Sequence, residues 1–144
     1  MSHKKMQSKE LIDMVEKDIG IRLPEEVTVL GKKISIIYTD DTSNPWFVEP
    51  DDGGVYVHDR KLIVINMSKW KTCVDNICEL EDIKRILRHE IIHSFFCSSG
   101  LQSSCEFANN EMLVDWVANM LPDMAQVMGE TLLSRPKIKE EDYK

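Results

Sequence analysis

The sequence predicts one α+β domain in which a small, mainly antiparallel sheet packs on a helix and a C-terminal helix completes the fold. β-prone runs are confined to residues 27–65, and apolar residues at helical spacing occur before and after them. The length of 144 residues suits a single hydrophobic core. We expect residues 1–134 to form this domain and the charged, aperiodic residues 135–144 to form a flexible tail.

The first elements are a helix and a pair of β-prone runs. From Ser8 to Asp18 apolar residues recur at three- and four-residue steps, which predicts a short amphipathic helix. The runs 27–30 and 34–38 are separated by Gly-Lys-Lys and form either a hairpin or one bent strand. Residues 39–54 are rich in Asp, Pro, Asn and Gly, so we expect a long surface loop there.

A second pair of β-prone runs, 55–57 and 62–65, flanks the polar segment His58–Lys61. This pattern predicts an antiparallel hairpin. From Leu80 onward the periodicity becomes helical, and Gly100 follows its last residue.

A further helical pattern covers residues 106–128. Pro122 has no N–H for a helical hydrogen bond, and its ring crowds the preceding turn. We therefore expect the helix to end or kink near Leu121.

Charge and hydropathy exclude several classes of function. The chain carries 18 Lys+Arg against 25 Asp+Glu, a net charge of −7, which disfavours a nucleic-acid partner because phosphates would be repelled. No window approaches a membrane span and no apolar leader follows the N-terminus, so we expect a cytoplasmic protein without a membrane partner. Its cysteines are expected to be reduced, although a disulfide between Cys97 and Cys105 is an alternative. The oligomeric state stays undecided.

The segment His89-Glu90-Ile-Ile-His93 is the HExxH pattern of a zinc site on a helix. Four residues cover about 400° of rotation, so both imidazoles lie on one face and can reach one tetrahedral ion. Glu90 is displaced by about 100° and is expected to be the general base that acts on a water at the metal. The alternative is a helix that carries two surface histidines paired with Glu90. An apolar stripe is expected on the opposite side, at Ile83, Leu87, Ile91 and Phe95.

A catalytic zinc ion usually has a third protein ligand and one open position. Glu111 and Asp115 lie one turn apart in the next helix. They are adjacent to the face of that helix that we expect to be buried, which carries Phe107, Val114 and Ala118. If Glu111 binds the metal, Asp115 can accept the free N–H of a ligating imidazole. An ordinary solvated acidic pair is the alternative, and the upstream HExxH makes it the weaker one.

The pattern His89-Glu90-x-x-His93 followed by Asn110-Glu111-x-x-x-Asp115 resembles the gluzincin site of thermolysin-type metallopeptidases. There the Glu is the third ligand and the Asp supports a zinc histidine. The layout of residues 27–128 resembles more closely the small ImmA/IrrE-like metallopeptidases of phages and other mobile elements, including their E-x-x-V/A-x-x-x-A helix, here Glu111 to Ala118. The resemblance implies a zincin-like fold, Zn²⁺, and cleavage of a repressor or another regulator. Many ImmA-type sequences carry Asn in place of Asp115.

Two residues near the second hairpin are further candidates. Tyr56 and His58 can polarise a scissile carbonyl or stabilise the oxyanion that forms after water attacks. Such residues are more often ordinary sheet surface. An extended substrate is expected to lie along an exposed sheet edge.

The expected function is therefore zinc-dependent hydrolysis of peptide bonds in a protein or peptide substrate. His89, His93 and Glu111 would hold the ion, and Glu90 would move the proton. The alternative function is that of a binding or regulatory protein that keeps the zinc fold with little turnover. A purely structural zinc site is disfavoured because such sites usually have four protein ligands and are rich in Cys.

Overall fold

A computed structural model of the protein describes residues 8–19, 22–49, 52–68 and 76–133. In chain order, the elements within these ranges are α1 Ser8–Ile19, β1 Glu26–Val29, β2 Lys32–Thr39, β3 Gly54–Val57, β4 Leu62–Asn66, α2 Asn76–Ser98, α3 Leu101–Ser104 and α4 Glu111–Leu133. Short 3₁₀ turns lie at His58–Arg60 and Glu106–Asn109. The predicted α+β class is confirmed, and the predicted tail lies outside the described residues.

The sheet has four strands in the order β1-β2-β4-β3. The pairs β1–β2 and β3–β4 are antiparallel, as expected for two hairpins, but the central strands β2 and β4 pair in parallel. The sheet is therefore mixed. The parallel pair arises because the long loop after β2 and the whole of β3 return the chain to the same end of the sheet before β4 begins.

The sequence left open whether residues 27–38 form a hairpin or one bent strand, and the turn between β1 and β2 distinguishes the two. Leu30 and Gly31 both have positive φ, at 49° and 79°. Positive φ at two successive residues produces the tight turn whose twist matches two antiparallel strands. The two runs consequently form a hairpin, with Val27 opposite Ile34.

The main hydrophobic core lies between the sheet and helices α1 and α2. Side chains alternate between exposed and buried from Lys33 to Tyr38 of β2, whereas the middle of β4 is buried throughout. A strand with neighbours on both sides shows this continuous burial when both of its faces are covered. The buried cluster consists of Ile12, Leu23, Val29, Ile34, Ile36, Tyr38, Ile63, Ile65, Met67, Ile83 and Leu87.

Helix α2 begins at Asn76, four residues before the predicted start at Leu80. Its buried side also differs from the predicted stripe, because Phe95 is 41% exposed whereas Ile92 is buried. The reason is that the end of α2 packs against α4 rather than against the sheet, which turns a different sector inward. None of the helices in the described ranges has the length and apolar character needed to span a membrane.

Helix α4 packs on α2 through Val114 and Ala118, which are fully buried as predicted. Phe107 is 60% exposed and does not belong to this inward side. It lies in the 3₁₀ turn Glu106–Asn109, which precedes α4 and does not share its helical rotation. Ala108 is the buried residue of that turn.

Pro122 neither ends nor interrupts α4, which continues to Leu133. In an unbroken helix the N–H of residue 122 would donate to the carbonyl of Ala118. Proline has no such N–H, but the Nε–H of Arg88 on α2 donates to the Ala118 oxygen at 3.0 Å. A side chain from the neighbouring helix thus satisfies the acceptor that Pro122 leaves free, and this contact also ties α4 to α2.

We expect Arg88→Met to lower the free energy of unfolding by about 1–3 kcal/mol, because the Ala118 carbonyl loses its donor. In a Pro122→Ala background residue 122 regains an N–H, so the same substitution should cost less there. Urea unfolding of wild type, Arg88→Met, Pro122→Ala and the double variant measures the coupling between residues 88 and 122. Arg60→Met, on the exposed turn after β3, is the control. An equal cost of Arg88→Met with and without Pro122 would contradict the explanation.

Candidate metal centre

The two predicted histidine ligands lie one turn apart on α2 and face each other. The Nε2 atoms of His89 and His93 are 3.1 Å apart, and their ring centroids are 4.8 Å apart. Their side chains are only 15% and 19% exposed. Burial lowers the pKa of His93, which favours the neutral imidazole that a metal requires.

Glu111 reaches the same point because a helix cap fixes the start of α4. The Asn110 side chain accepts a hydrogen bond from the Leu113 N–H at 3.1 Å, so Glu111 is the first helical residue. The Glu111 carboxylate lies 2.8 Å from His89 Nε2 and 3.3 Å from His93 Nε2. Packing of α4 on α2 therefore completes the group.

Ligand atoms of His89, His93 and Glu111 all lie within 4.8 Å of one another, so the group could hold a metal ion. In a tetrahedral site with bonds of about 2.05 Å the ligand atoms are about 3.3 Å apart. The spacing of 3.1 Å between the two imidazole nitrogens is close to that value.

The protonation pattern also fits a cation. Nδ1 of His89 faces a carboxylate oxygen of Asp115 at 2.8 Å, so the proton of a neutral imidazole belongs on Nδ1. Nε2 of His89 then presents a lone pair to the Glu111 oxygen at 2.8 Å, which is an arrangement of two acceptors. A proton can bridge one such contact, whereas a metal ion can accept a lone pair from each of His89, His93 and Glu111.

Asp115 is also held from the other side. Its Oδ1 lies 3.6 Å from Nη1 of Arg85, which stands one turn before His89 on α2. The carboxylate thus lies between the guanidinium and the imidazole, and it fixes the orientation of the His89 ring. Arg85 is a site residue that the sequence analysis missed, although its spacing from His89 places it on the histidine face.

Glu90 is buried to 6% exposure beside the histidines. Burial raises the pKa of its carboxyl to about 7, an effect that His89 opposes and Glu111 reinforces. The backbone N–H of Tyr56 on β3 donates a hydrogen bond to this carboxylate. Glu90 is thus placed by the sheet edge as well as by its own helix.

Two glycines let β3 approach α2 closely enough for this contact. A Cβ atom on Gly54 would lie 3.0 Å from Ile86 and 3.2 Å from the Glu90 side chain. A Cβ atom on Gly53 would lie 3.0 Å from Ile86 as well. From sequence these glycines belonged to the end of a loop, yet here both make room for Ile86, and Gly54 also makes room for the Glu90 side chain.

We expect Glu90→Gln to stabilise the metal-free protein at pH 8.5 but not at pH 4, relative to wild type. The folded-state pKa of about 7 lies above the ordinary value of 4.5, so folding favours the protonated acid. That favourable contribution is complete below pH 4.5 and is lost progressively as the pH rises from 4.5 to 7, amounting to as much as about 3 kcal/mol. Glutamine stays neutral at both values. Urea unfolding with a chelator tests this, and a pH-independent difference would contradict it.

A cavity of about 660 Å³ opens over the three ligands and Glu90, and Tyr56 and His58 line it. The Tyr56 hydroxyl lies 3.1 Å from His58 Nδ1, and the Lys61 ammonium lies 3.3 Å from the same nitrogen. Since an ammonium only donates, Nδ1 accepts and a neutral His58 carries its proton on Nε2. Burial raises the pKa of Tyr56, so its hydroxyl stays protonated at neutral pH.

Other residues of the cavity wall carried little signal in the sequence. Asp52 and Gln102 line the cavity from the loop before β3 and from α3. Cys97 also lines it, and Cys97 and Cys105 are both free thiols. The side chains of the other two cysteines lie outside the described residues.

No protein-family model, curated protein or solved structure matches the chain. The resemblance to ImmA/IrrE-like metallopeptidases accordingly rests on the motifs quoted above.

Proposed function

We propose that the protein is a zinc-dependent peptidase with a zincin-like site. The observation that carries this proposal is Glu90, a buried carboxylate beside the His89, His93 and Glu111 group, in the wall of the same cavity. A group that only held a structural metal would not need a buried acid next to it.

Two imidazoles and one carboxylate are a ligand set of catalytic zinc sites, which leave one position for water. When bound, zinc would supply a water that is nucleophilic at neutral pH and would polarise the substrate carbonyl. His89, His93 and Glu111 would hold the ion, and Asp115 would keep the His89 ring in place.

The chain's own residues would then move the proton and stabilise charge. Glu90 takes a proton from the attacking water and passes it to the leaving amine. The Nε2–H of His58 is a donor at the cavity wall, and the Tyr56 hydroxyl becomes a second one when its proton turns away from His58 Nδ1, so we assign both to the developing oxyanion.

The outer edge of β3 is suited to an extended peptide. Asn66 N–H bonds to the Gly53 carbonyl at 2.8 Å, so in this antiparallel ladder the backbone groups of Gly54 and Tyr56 point away from β4. The bond from Tyr56 N–H to Glu90 agrees with this direction. Since Glu90 occupies the Tyr56 N–H, a substrate strand added at this edge would pair with the other outward backbone groups of Gly54 and Tyr56, and it would lie along the cavity. The family resemblance favours a cytoplasmic regulatory protein, such as a repressor, as that substrate.

The test starts with metal-free protein and one equivalent of zinc. We expect one tightly bound zinc per chain by elemental analysis, and zinc-restored cleavage of internally quenched peptides with randomised central positions. Uptake below about a tenth of an equivalent would refute the metal site. Full zinc binding without cleavage of peptides or proteins would instead favour the alternative, a binding module that keeps the zinc fold.

A further inference from the structure

Helix α4 carries an apolar surface that is exposed throughout. Five of its side chains follow one another at intervals of four residues and are between 38% and 81% exposed, and a sixth beside them is 56% exposed. We call this surface the α4 outer face, and it consists of Met112, Trp116, Met120, Met124, Val127 and Met128.

The second half of α4 is largely exposed to solvent. From Asn119 to Glu130 every residue except Gly129 is exposed. A helix of about this length is marginal in water by itself, and Pro122 and Gly129 lower its propensity further. Packing of the outer face against another surface would add to the stability of this segment.

Charge distinguishes between the surfaces that could pack there. Helix α4 contains four acidic residues, Glu111, Asp115, Asp123 and Glu130, and no Lys, Arg or His. On a helical wheel Asp123 and Glu130 lie within about 60° of Val127, so carboxylates border the apolar face. Pairing of two α4 outer faces would bring like charges together, whereas a partner with basic flanks would complement them.

We propose that the α4 outer face docks an amphipathic helix of a partner protein, with large apolar side chains on one side and Lys or Arg along its flanks. Side chains four residues apart form a ridge whose grooves accept the ridges of another helix. The four methionines are unbranched and adapt to differently shaped apolar partners. This proposal depends on neither zinc nor hydrolysis.

The test uses the full chain and a synthetic helical peptide of about 18 residues, with Leu on one face and Lys on the other. We expect it to bind with a micromolar Kd by titration calorimetry and to alter the fluorescence of Trp116, with Trp116→Phe identifying that signal. An otherwise identical peptide with Glu in place of Lys should bind at least about tenfold more weakly.

Matched variants locate the binding surface. Met120→Ser/Met124→Ser and Asp123→Lys/Glu130→Lys should each weaken the Lys peptide at least about tenfold. Asp13→Lys/Glu49→Lys makes the same change in net charge at exposed positions elsewhere and should leave the Kd unchanged.

Three results would overturn the proposal. The first is equal binding of the Lys and Glu peptides, or equal effects of the two charge reversals. The second is a dimer in sedimentation at micromolar concentration that Met120→Ser/Met124→Ser dissociates, since a second copy would then occupy the face. The third is peptide binding that appears only after the chain is shortened to end at Leu133, which would identify the chain's own tail as the occupant.

Discussion

Glu90→Gln is expected to slow zinc-dependent peptide hydrolysis by at least about 100-fold and to leave the zinc content unchanged. The amide has the shape of the carboxylate and can still accept the Tyr56 N–H, but it cannot take a proton from water. Glu90 is not among the three side chains that converge as metal ligands, so the ion keeps its protein contacts. Initial rates on quenched peptides and elemental analysis of the same preparations measure the two effects.

Glu130→Gln makes the same chemical change on an exposed residue far along α4 and should leave the rate unaltered. Cleavage by Glu90→Gln at the wild-type rate would exclude Glu90 as the general base. A large loss of zinc together with the rate would be a different result, because it would show that Glu90 helps to hold the ion.

The parts of the site that the sequence predicted depend on local geometry. His89 and His93 face the same way because four residues make about one turn of a helix. The interval between Glu111 and Asp115 similarly places both carboxylates on one side of α4, and each lies 2.8 Å from a His89 nitrogen. Helical periodicity therefore identified the ligand group once the two helices were assumed to meet.

The parts that the sequence missed depend on contacts between distant segments. The parallel pairing of β2 with β4 is decided by a loop and a strand between them, and no pattern within either strand encodes it. The continuation of α4 past Pro122 depends on Arg88, which is thirty residues from the carbonyl that it satisfies. The role of Gly54 appears only when β3 lies against α2.

Phe107 shows how a local rule fails at a boundary. A wheel at 100° per residue placed it with Val114 and Ala118, but the chain takes an extended conformation at Asn110 between the 3₁₀ turn and α4. Rotation is not conserved across that break, so Phe107 is exposed. The assignment of Glu111 stands on its contacts with the two histidines rather than on that wheel.

Glu111→Ala is expected to weaken zinc binding by far more than the roughly 10- to 100-fold loss expected for Asp115→Ala. Glu111 would supply one of the three ligand atoms of the candidate site, and without it only the two imidazoles would remain. Asp115 contacts Nδ1 of His89, so its removal leaves all three ligands but frees the His89 ring to rotate. Competition with a chromogenic chelator measures both affinities, and circular dichroism checks that each variant is folded.

Glu106→Ala is the matched control, since this glutamate lies in the same acidic segment but outside the group His89, His93 and Glu111. The zinc affinity of this variant should equal that of wild type. Asp115→Asn should lie between wild type and Asp115→Ala, because the amide oxygen can still accept the His89 N–H without the charge. If Asp115→Ala removed the metal while Glu111→Ala kept its affinity, the likeness to gluzincins would fail. The ion would then be bound by an aspartate, with His89 turned so that Nδ1 rather than Nε2 faces it.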